Sequence, residues 1–125
     1  MCGINGIIFK NSPIDNKKIL AMNALLQHRG PDQSGYISHN NLLLGHTRLS
    51  ILDTSKKGFQ PMTTDGRYWI VYNGEIYNYK EIKKELIEKK YKFYSDTDTE
   101  VVLNAFREWG DKAFKKFNGE WALSI

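Results

Sequence analysis

The chain has 125 residues, a formal net charge of +4, 41% hydrophobic residues and one cysteine. This length suits one domain with its own core, and the apolar content and small net charge exclude a disordered chain. No apolar run reaches the ~20 residues of a membrane helix, and the N-terminus lacks the basic and apolar segments of a secretory signal. We therefore expect a cytoplasmic protein that does not bind membranes.

Lysines are clustered at two places, residues 83–92 and 112–116. Such runs usually form the solvated face of a helix, and no nucleic-acid recognition motif accompanies them. We therefore expect no nucleic-acid partner.

Three elements are predicted before residue 40. The apolar run Cys2–Phe9, which glycines interrupt, is typical of a buried strand that other backbone approaches closely. Apolar residues at helical spacing predict a helix over 14–28, which ends before Gly30-Pro31 because proline cannot continue it. GYIS at 35–38 predicts a strand.

Two more strands are predicted in the middle of the chain. The stretch LLLGHTRLSIL at 42–52 follows the polar pair Asn40-Asn41 and is expected to form a hairpin with the preceding strand. Residues 53–65 show little periodicity and are predicted to form the longest loop. RYWIVYN at 67–73 predicts the next strand.

Two amphipathic helices follow. Asn78, with Glu81 three residues later, resembles a helix start, and apolar residues share one face beyond it. Thr97-x-x-Glu100 repeats the capping-box pattern for a second helix, which is expected to end at Gly110.

The last predicted elements are a short helical piece over 111–116 and the strand GEWALSI at 119–125. Because this strand ends flush with the C-terminus, we interpret the chain as the N-terminal portion of a longer protein. Hairpin signals without regular strand–helix alternation predict an α+β fold with antiparallel sheet.

A catalytic role is most strongly indicated for Cys2. A lone cysteine is ordinarily a small buried hydrophobic residue. Removal of Met1 would, however, place the Cys2 thiol and a free α-amine on one Cα, and an α-amine titrates near ~7.7 to 8.0. One residue would then supply both a nucleophile and its base.

A thiolate that attacks a carboxamide creates an oxyanion, which needs hydrogen-bond donors. Asn73 and Gly74 offer a side-chain amide and a backbone N–H at the end of the strand predicted over 67–73. The alternative is structural, because Asn-Gly is a common hairpin turn and occurs again at 5–6 and 118–119.

Arg48 and Asp98 are charged candidates for ligand recognition. Arg48 lies in an apolar stretch, where it either pairs with a carboxylate such as Asp32 or binds a ligand carboxylate. Asp98, like Asp96, lies at a predicted helix start, where an acidic residue is ordinarily a cap or a partner of the helix dipole. Together, Arg48 and Asp98 match the two charged ends of an α-amino acid.

Two other kinds of site have weaker support in the pattern. The acidic string at 96, 98 and 100 hints at calcium but lacks the central glycine and remaining ligands of an EF-hand loop. His28, His39 or His46 could pair with Cys2 as in a Cys-His peptidase, yet none has a distinctive setting.

Five motifs, in order, cover essentially the whole chain: MCGI from residue 1, HRGPD from 28, GHTRLSI from 45, YNGEIYNY from 72 and SDTDTE from 95. Together they resemble the class II glutamine amidotransferase domain, of the N-terminal-nucleophile type, and most of all the glutaminase domain of the asparagine synthetase family. The resemblance implies a four-layer αββα sandwich of antiparallel sheets. It also implies hydrolysis of L-glutamine to glutamate and ammonia through a cysteine thioester, with the ammonia passed to a synthetase.

The resemblance implies a role for each site residue. Cys2 is the expected nucleophile, and Asn73 with Gly74 is the expected oxyanion hole. Arg48 is expected to bind the α-carboxylate of glutamine, and Asp98 its α-ammonium. The rest of the pocket is expected to be lined, largely through backbone, by Leu49, Ser50, Ile51, Leu52 and Glu75. Glutamine hydrolysis is expected to need no metal or cofactor, and ATP and Mg²⁺ are implied only for a synthetase domain.

The chain departs from that family in two respects. Such domains are usually longer, and GEWALSI stands where the family typically has GMFAF. Nothing resembles the synthetase domain with its Ser-Gly-Gly-rich pyrophosphate loop, so that domain is expected to be absent from residues 1–125. An uncleaved Met1 would also convert the Cys2 amine to an amide and remove the base.

Two alternatives to a working glutaminase stay open. One is a catalytically silent glutamine-binding or interaction fragment, whose apolar terminal strand invites self-association into a homo-oligomer. The other is the Cys-His peptidase.

Overall fold

Two antiparallel sheets form the centre of the computed structural model, which describes residues 1–51 and 55–125. The strands within these residues are β1 Gly3–Ile8, β2 Gln33–His39, β3 Leu42–Arg48, β4 Val71–Ile76 and β5 Gly119–Ser124. The helices are α1 Asn16–Leu25, α2 Tyr79–Glu88 and α3 Asp98–Trp109, with short 3₁₀ helices at Lys56–Gly58 and Gly110–Lys116. One sheet has the order β1-β3-β2, and the other pairs β4 with β5.

The hairpin predicted between β2 and β3 is confirmed. His39 pairs with Leu42 across a two-residue loop. Asn40, in that loop, has a φ of 49°, in the left-handed region that asparagine tolerates.

β3 ends at Arg48, short of its predicted end at residue 52. The backbone N–H of Leu49 turns to the Sγ of Cys2. The N–H of Ser50 turns to the Asp32 carboxylate, 2.7 Å away. These side-chain acceptors replace the ladder hydrogen bonds that would have continued the strand.

The strand predicted over 67–73 begins and ends later than expected. The backbone N–H groups of Arg67 and Tyr68 bond to the Asp65 carboxylate, which makes a turn of the residues expected to open the strand. The later end places Asn73-Gly74 inside β4, so the hairpin-turn interpretation of this pair is wrong.

Side-chain capping explains two of the helix starts. α1 begins after the predicted residue 14 because Asp15 caps it by accepting from the Lys17 N–H at 3.0 Å, and it ends at Leu25, before the predicted end at 28. The predicted cap of α3 is confirmed, since Thr97 Oγ1 accepts from the Glu100 N–H at 3.3 Å. No helix within residues 1–51 and 55–125 has the length and apolar character needed to cross a bilayer.

α2 begins where predicted, but Asn78 does not cap it through its side chain. The Asn78 amide instead donates to the Lys116 carbonyl oxygen at 2.9 Å and accepts from the Asn118 N–H at 2.9 Å. Asn78 therefore ties the start of α2 to the segment that leads into β5.

The layers run helix, sheet, sheet, helix. α1 packs on the first sheet, α3 on β4, and α2 on α3. Gly45 faces α1, whereas the ring of the next residue, His46, bonds to Tyr72 of β4. Because successive strand residues point to opposite faces, α1 and the second sheet cover opposite faces of the first sheet. This order confirms the predicted antiparallel α+β sandwich.

Each half of the sandwich has its own apolar core. Among the described residues, the cluster between the second sheet and its helices contains Met62, Ile70, Tyr72, Ile76, Ile82, Leu86, Val101, Val102, Leu103, Ala105 and Ala113. The corresponding cluster between the first sheet and α1 contains Phe9, Ile19 and Leu43. The second half therefore buries far more apolar surface than the first.

Candidate active site

A cavity of about 190 Å³ opens where the end of β3, the strand β4 and the start of α3 meet. Residues predicted from the sequence to form the site line much of it: Cys2, Arg48, Leu49, Ile51, Asn73, Gly74, Glu75 and Asp98. Ser50 is not among its described lining residues, and the predicted site residue Leu52 lies outside the described residues. The fold thus brings motifs from both halves of the sandwich to one cavity.

Cys2 lies directly before β1, beside the end of β3. Its thiol is free and partly buried. The Sγ accepts a hydrogen bond from the Leu49 N–H at 3.4 Å and lies 3.7 Å from the Leu49 carbonyl oxygen. Arg29 fixes the Cys2 backbone, because its Nε donates to the Cys2 carbonyl oxygen at 3.0 Å. Met1 lines the same cavity and is 70% exposed.

Asn73 and Gly74 lie in the middle of β4, opposite Ala122 and Trp121 of β5. Gly74 has no room for a side chain, because a Cβ there would lie 2.5 Å from the Glu120 carbonyl oxygen and 2.6 Å from the Trp121 Cα. The glycine therefore lets β5 approach closely. The Asn73 side-chain amide and the Gly74 peptide both line the cavity. N–H groups of these two kinds can stabilise an oxyanion.

Arg48 is the buried cation of the cavity, with 4% of its surface exposed. Its Nη1 donates to Gln33 Oε1 at 3.1 Å and to the Ser55 carbonyl oxygen at 3.0 Å. Both of these partners are neutral oxygen atoms, and they orient the guanidinium. Asp32, the structural partner considered for Arg48, accepts from the Ser50 N–H.

Asp98 is the buried carboxylate of the cavity and the first residue of α3. Its Oδ2 accepts from the Tyr72 hydroxyl at 2.8 Å and from the Ile76 N–H at 3.1 Å. Burial raises the pKa of Asp98, and the hydrogen bonds from Tyr72, Ile76 and Thr99 act in the opposite direction. The cavity therefore contains both a buried guanidinium and a buried carboxylate.

A second buried carboxylate holds the turn before α3. Glu100 accepts from the Tyr94 N–H at 2.9 Å, from the Ser95 N–H at 2.7 Å and from the Ser95 hydroxyl at 2.6 Å. Asp96 points elsewhere and pairs with Lys83 at 3.4 Å. The acidic string does not converge on a cation, and the described part of the chain contains no group of three or more His, Cys, Asp or Glu placed to hold a metal ion.

None of the described cavity residues is a histidine. His46 is buried, and its Nε2 lies 3.0 Å from the Tyr72 carbonyl oxygen. That oxygen can only accept, so Nε2 carries the proton. Burial lowers the pKa of His46 to about 4 against the effect of this hydrogen bond, so the ring is neutral near pH 7. His28 is exposed and bonds to the Leu25 carbonyl oxygen, so a Cys-His dyad gains no support.

Sequence reasoning did not identify several residues that line the cavity: Gln60, Tyr72, Tyr77, Thr97, Thr99 and Glu120. Gln60 connects two of them, because its Nε2 donates to Thr99 Oγ1 at 3.3 Å and its Oε1 accepts from the Tyr72 N–H at 2.6 Å. Gln60 falls in the stretch predicted as a loop, where no periodicity marks it. The sequence could have indicated Tyr72, because it is the first residue of the motif that contains Asn73 and Gly74.

Comparison with known proteins gives an independent result. A family model described as "Glutamine amidotransferase domain" matches residues 1–125. The chain is 41% identical over 131 residues to "Asparagine synthetase [glutamine-hydrolyzing] 1" of Bacillus subtilis, with 100% of this chain and 20% of that protein covered.

Two further relatives extend the comparison. "Putative asparagine synthetase [glutamine-hydrolyzing] 2" of Methanocaldococcus jannaschii is 41% identical over 145 residues, covering 100% of this chain and 27% of its own length. "Asparagine synthetase B [glutamine-hydrolyzing]" of Escherichia coli is 34% identical over 128 residues, covering 100% of this chain and 23% of its own length. The chain therefore spans between a fifth and about a quarter of the length of these curated relatives.

Proposed function

Because the chain belongs to the glutamine amidotransferase domain family, we propose that it hydrolyses L-glutamine to glutamate and ammonia. The observation that carries this proposal is the meeting of a thiol, an Asn-Gly amide pair, a guanidinium and a buried carboxylate in one cavity of about 190 Å³. The two charged groups match the ends of an α-amino acid, and the thiol and amide pair match the chemistry of a carboxamide.

Binding in this proposal uses both halves of the sandwich. Arg48, oriented by Gln33 and Ser55, binds the α-carboxylate of glutamine. Asp98, at the start of α3, binds the α-ammonium. Leu49, Ile51 and Glu75 line the same cavity and are proposed to contact the rest of the substrate, whereas the roles of Ser50 and Leu52 stay expectations from the family resemblance.

Cys2 performs the chemistry once Met1 has been removed. The α-amine of Cys2 accepts the thiol proton, and the sulfur attacks the carboxamide carbon. The Asn73 amide and the Gly74 N–H stabilise the resulting oxyanion. Collapse of this intermediate, with the proton delivered to the leaving nitrogen, releases ammonia and leaves a thioester. Water then hydrolyses the thioester, which releases glutamate and restores the thiol.

The ammonia is proposed to pass to a synthetase site outside residues 1–125, in keeping with the asparagine synthetases that resemble this chain over a part of their length. ATP and Mg²⁺ belong to that synthetase site, and no metal is proposed for the hydrolysis. The location of the protein in the cytoplasm and its assembly into a homo-oligomer stay predictions.

The experiment that tests this function is an intact mass of the purified chain followed by ammonia release from glutamine. In protein that begins at Cys2, we expect Cys2→Ala to lower ammonia release by at least ~10³-fold, because the attacking group is removed. His39→Ala, at the exposed end of β2, is the control that should match the wild type.

Two outcomes would contradict the proposal. Glutamine binding without ammonia release, in protein that begins at Cys2, would favour the silent binding module. Ammonia release that Cys2→Ala leaves unchanged would exclude the thioester route.

A further inference from the structure

Tyr72 is fixed at every polar atom and lies at the junction of the two halves. It is 2% exposed and lines the cavity. Its backbone N–H donates to Gln60 Oε1 at 2.6 Å, and its carbonyl oxygen lies 3.0 Å from His46 Nε2. Its hydroxyl donates to Asp98 Oδ2 at 2.8 Å. The backbone hydrogen bonds and the burial of the ring therefore fix where the hydroxyl lies, and the hydroxyl cannot leave Asp98 without losing its own hydrogen bond.

This hydroxyl acts on the carboxylate that the proposed function assigns to the substrate ammonium. A carboxylate offers about four lone-pair sites. Tyr72, Ile76 and Thr99 supply donors to Asp98, so acceptor capacity is left for one N–H from a ligand. These three donors determine the direction from which a ligand N–H can approach the Asp98 carboxylate.

The Tyr72 hydroxyl helps to keep Asp98 ionised, because other features of the surroundings oppose its negative charge. Burial and the nearby Glu75 charge both disfavour the ionised form of Asp98, whereas the donors from Tyr72, Ile76 and Thr99 favour it. Arg48 and the Cys2 thiol line the same cavity. Of the groups that favour the carboxylate, the Tyr72 hydroxyl is the one that a single substitution removes without altering the backbone.

We propose that Tyr72 is a positioning residue, whose hydroxyl holds the Asp98 carboxylate as the acceptor for a primary ammonium group and so makes the cavity selective for amides that carry a free α-amino group. This inference rests on the proposed glutaminase function and deepens it. Tyr72 does not take part in bond making or breaking.

The test compares Tyr72→Phe with the wild type on two amides, glutamine and its analogue without the α-amino group, 4-carbamoylbutanoate. Phenylalanine keeps the ring in the core and removes only the hydroxyl. We expect the KM for glutamine to rise about 10-fold, which is ~1.4 kcal/mol, with kcat within about twofold, since the lost hydrogen bond acts on a charged group. The preference for glutamine over the analogue should fall by a similar factor.

A pH profile separates this role from a merely structural one. Without the hydroxyl, the pKa of Asp98 rises further, so Asp98 becomes protonated at higher pH and loses its attraction for an ammonium group. The ratio of kcat/KM for glutamine to that for 4-carbamoylbutanoate should therefore begin to fall at a higher pH in Tyr72→Phe than in the wild type, and the titration of the Cys2 α-amine cancels in this ratio. In an Asp98→Asn background, adding Tyr72→Phe should change neither the preference nor the profile.

Tyr91→Phe is the matched control. Tyr91 also has a hydrogen bond to a carboxylate, that of Glu108, but it lies away from the cavity. Its loss should leave the KM, the preference and the pH profile unchanged.

The possible results distinguish the two proposals. If the wild type releases ammonia but Tyr72→Phe matches it in KM, preference and pH profile, this inference is wrong and the glutaminase function stands. If Tyr72→Phe lowers kcat alone, or fails to fold while Asp98→Asn keeps the wild-type preference for glutamine, the inference is also wrong.

Binding measurements cover the case in which no ammonia is released. If the wild type binds glutamine without hydrolysing it, calorimetry of the two amides measures the preference, and a ratio that Tyr72→Phe leaves unchanged overturns the inference. If the wild type neither binds nor hydrolyses glutamine, the proposed function fails and this inference fails with it.

Discussion

The two halves of the sandwich differ in what they bury. The half built on β4, β5, α2 and α3 encloses a large apolar cluster, whereas the half built on β1–β3 and α1 encloses a small one. Both halves also bury polar side chains, such as Asn23 and Thr47 in the smaller half and Glu100 and Asn104 in the larger half. The thiol and the guanidinium come from the half with the small cluster, and the amide pair and Asp98 from the half with the large cluster. The geometry of the cavity therefore depends on the packing of each half and on the contacts that join them.

The largest expected effect tests the difference between the two cores. Leu103→Ala in the large cluster should lower the free energy of unfolding by ~3 to 5 kcal/mol, and Leu43→Ala in the small cluster by ~2 to 3 kcal/mol. Both leucines are fully buried, but partly exposed neighbours of Leu43, such as Met22, can move into the space. Urea denaturation at one pH measures both losses. Equal losses would show that the two halves are packed alike.

The next effect concerns the burial of His46 between the halves, where its ring bonds to Tyr72. The folded-state pKa of His46, about 4, lies below its unfolded value of 6.5, so the unfolded chain binds the proton more readily. The stability that the buried, neutral His46 ring contributes is fully present above pH 6.5. It is lost as the pH falls to about 4, and the total loss is up to about 3 kcal/mol. Asp98, with a raised pKa, acts in the opposite direction as the pH falls.

Denaturation across pH 4 to 7 measures this effect. His46→Gln keeps a neutral N–H donor but does not titrate, so its stability should depend less on pH than that of the wild type. An unchanged pH dependence in His46→Gln would show that other groups are responsible.

A smaller effect is expected at Gly58, which packs against the Arg48 guanidinium. A Cβ on Gly58 would collide with Arg48 Nη2 and lie 2.9 Å from Thr97 Cγ2. Gly58→Ala should therefore displace the guanidinium and raise the KM for glutamine about 10-fold. Steady-state ammonia release gives the KM, with Lys57→Ala, at an exposed neighbouring position, as the control. An unchanged KM would indicate that Arg48 does not bind the substrate.

The smallest effect is expected for a pair of like charges in the sheet of β4 and β5. Glu75 and Glu120 are directly opposite on β4 and β5, and like charges in such a pair are destabilising. Glu120→Gln should raise the free energy of unfolding by ~0.2 to 1 kcal/mol at low salt and by less at high salt. Glu108→Gln, which breaks an ion pair with Lys89, should have the opposite sign. A gain that salt leaves unchanged would argue against a charge effect.

Local signals predicted the elements that local interactions build. The Thr97 cap and the Asn40-Asn41 hairpin depend on residues close in sequence, and both are confirmed. Cys2, Arg48 and Asp98 were predicted together because their chemistry matches one amino-acid substrate. The structure places all three in one cavity, although their roles stay proposals.

Long-range contacts account for what the sequence did not indicate. β3 ends early because the turn after Arg48 bonds to Cys2 and Asp32, which are far away in the chain. Asn78 bonds across to the segment before β5 instead of capping its own helix. Gln60 joins the cavity through Tyr72 and Thr99, and no pattern around Gln60 could show this.

The turn held by Glu100 has a consequence for the conformational entropy of binding. Its acceptors satisfy the N–H groups of Tyr94 and Ser95 from within the chain, so the residues before Asp98 are ordered by folding itself. Fixing the backbone of one residue costs ~1 to 2 kcal/mol. Because this segment is already ordered, it loses no further conformational entropy when a ligand binds. A few polar contacts can then hold a small substrate.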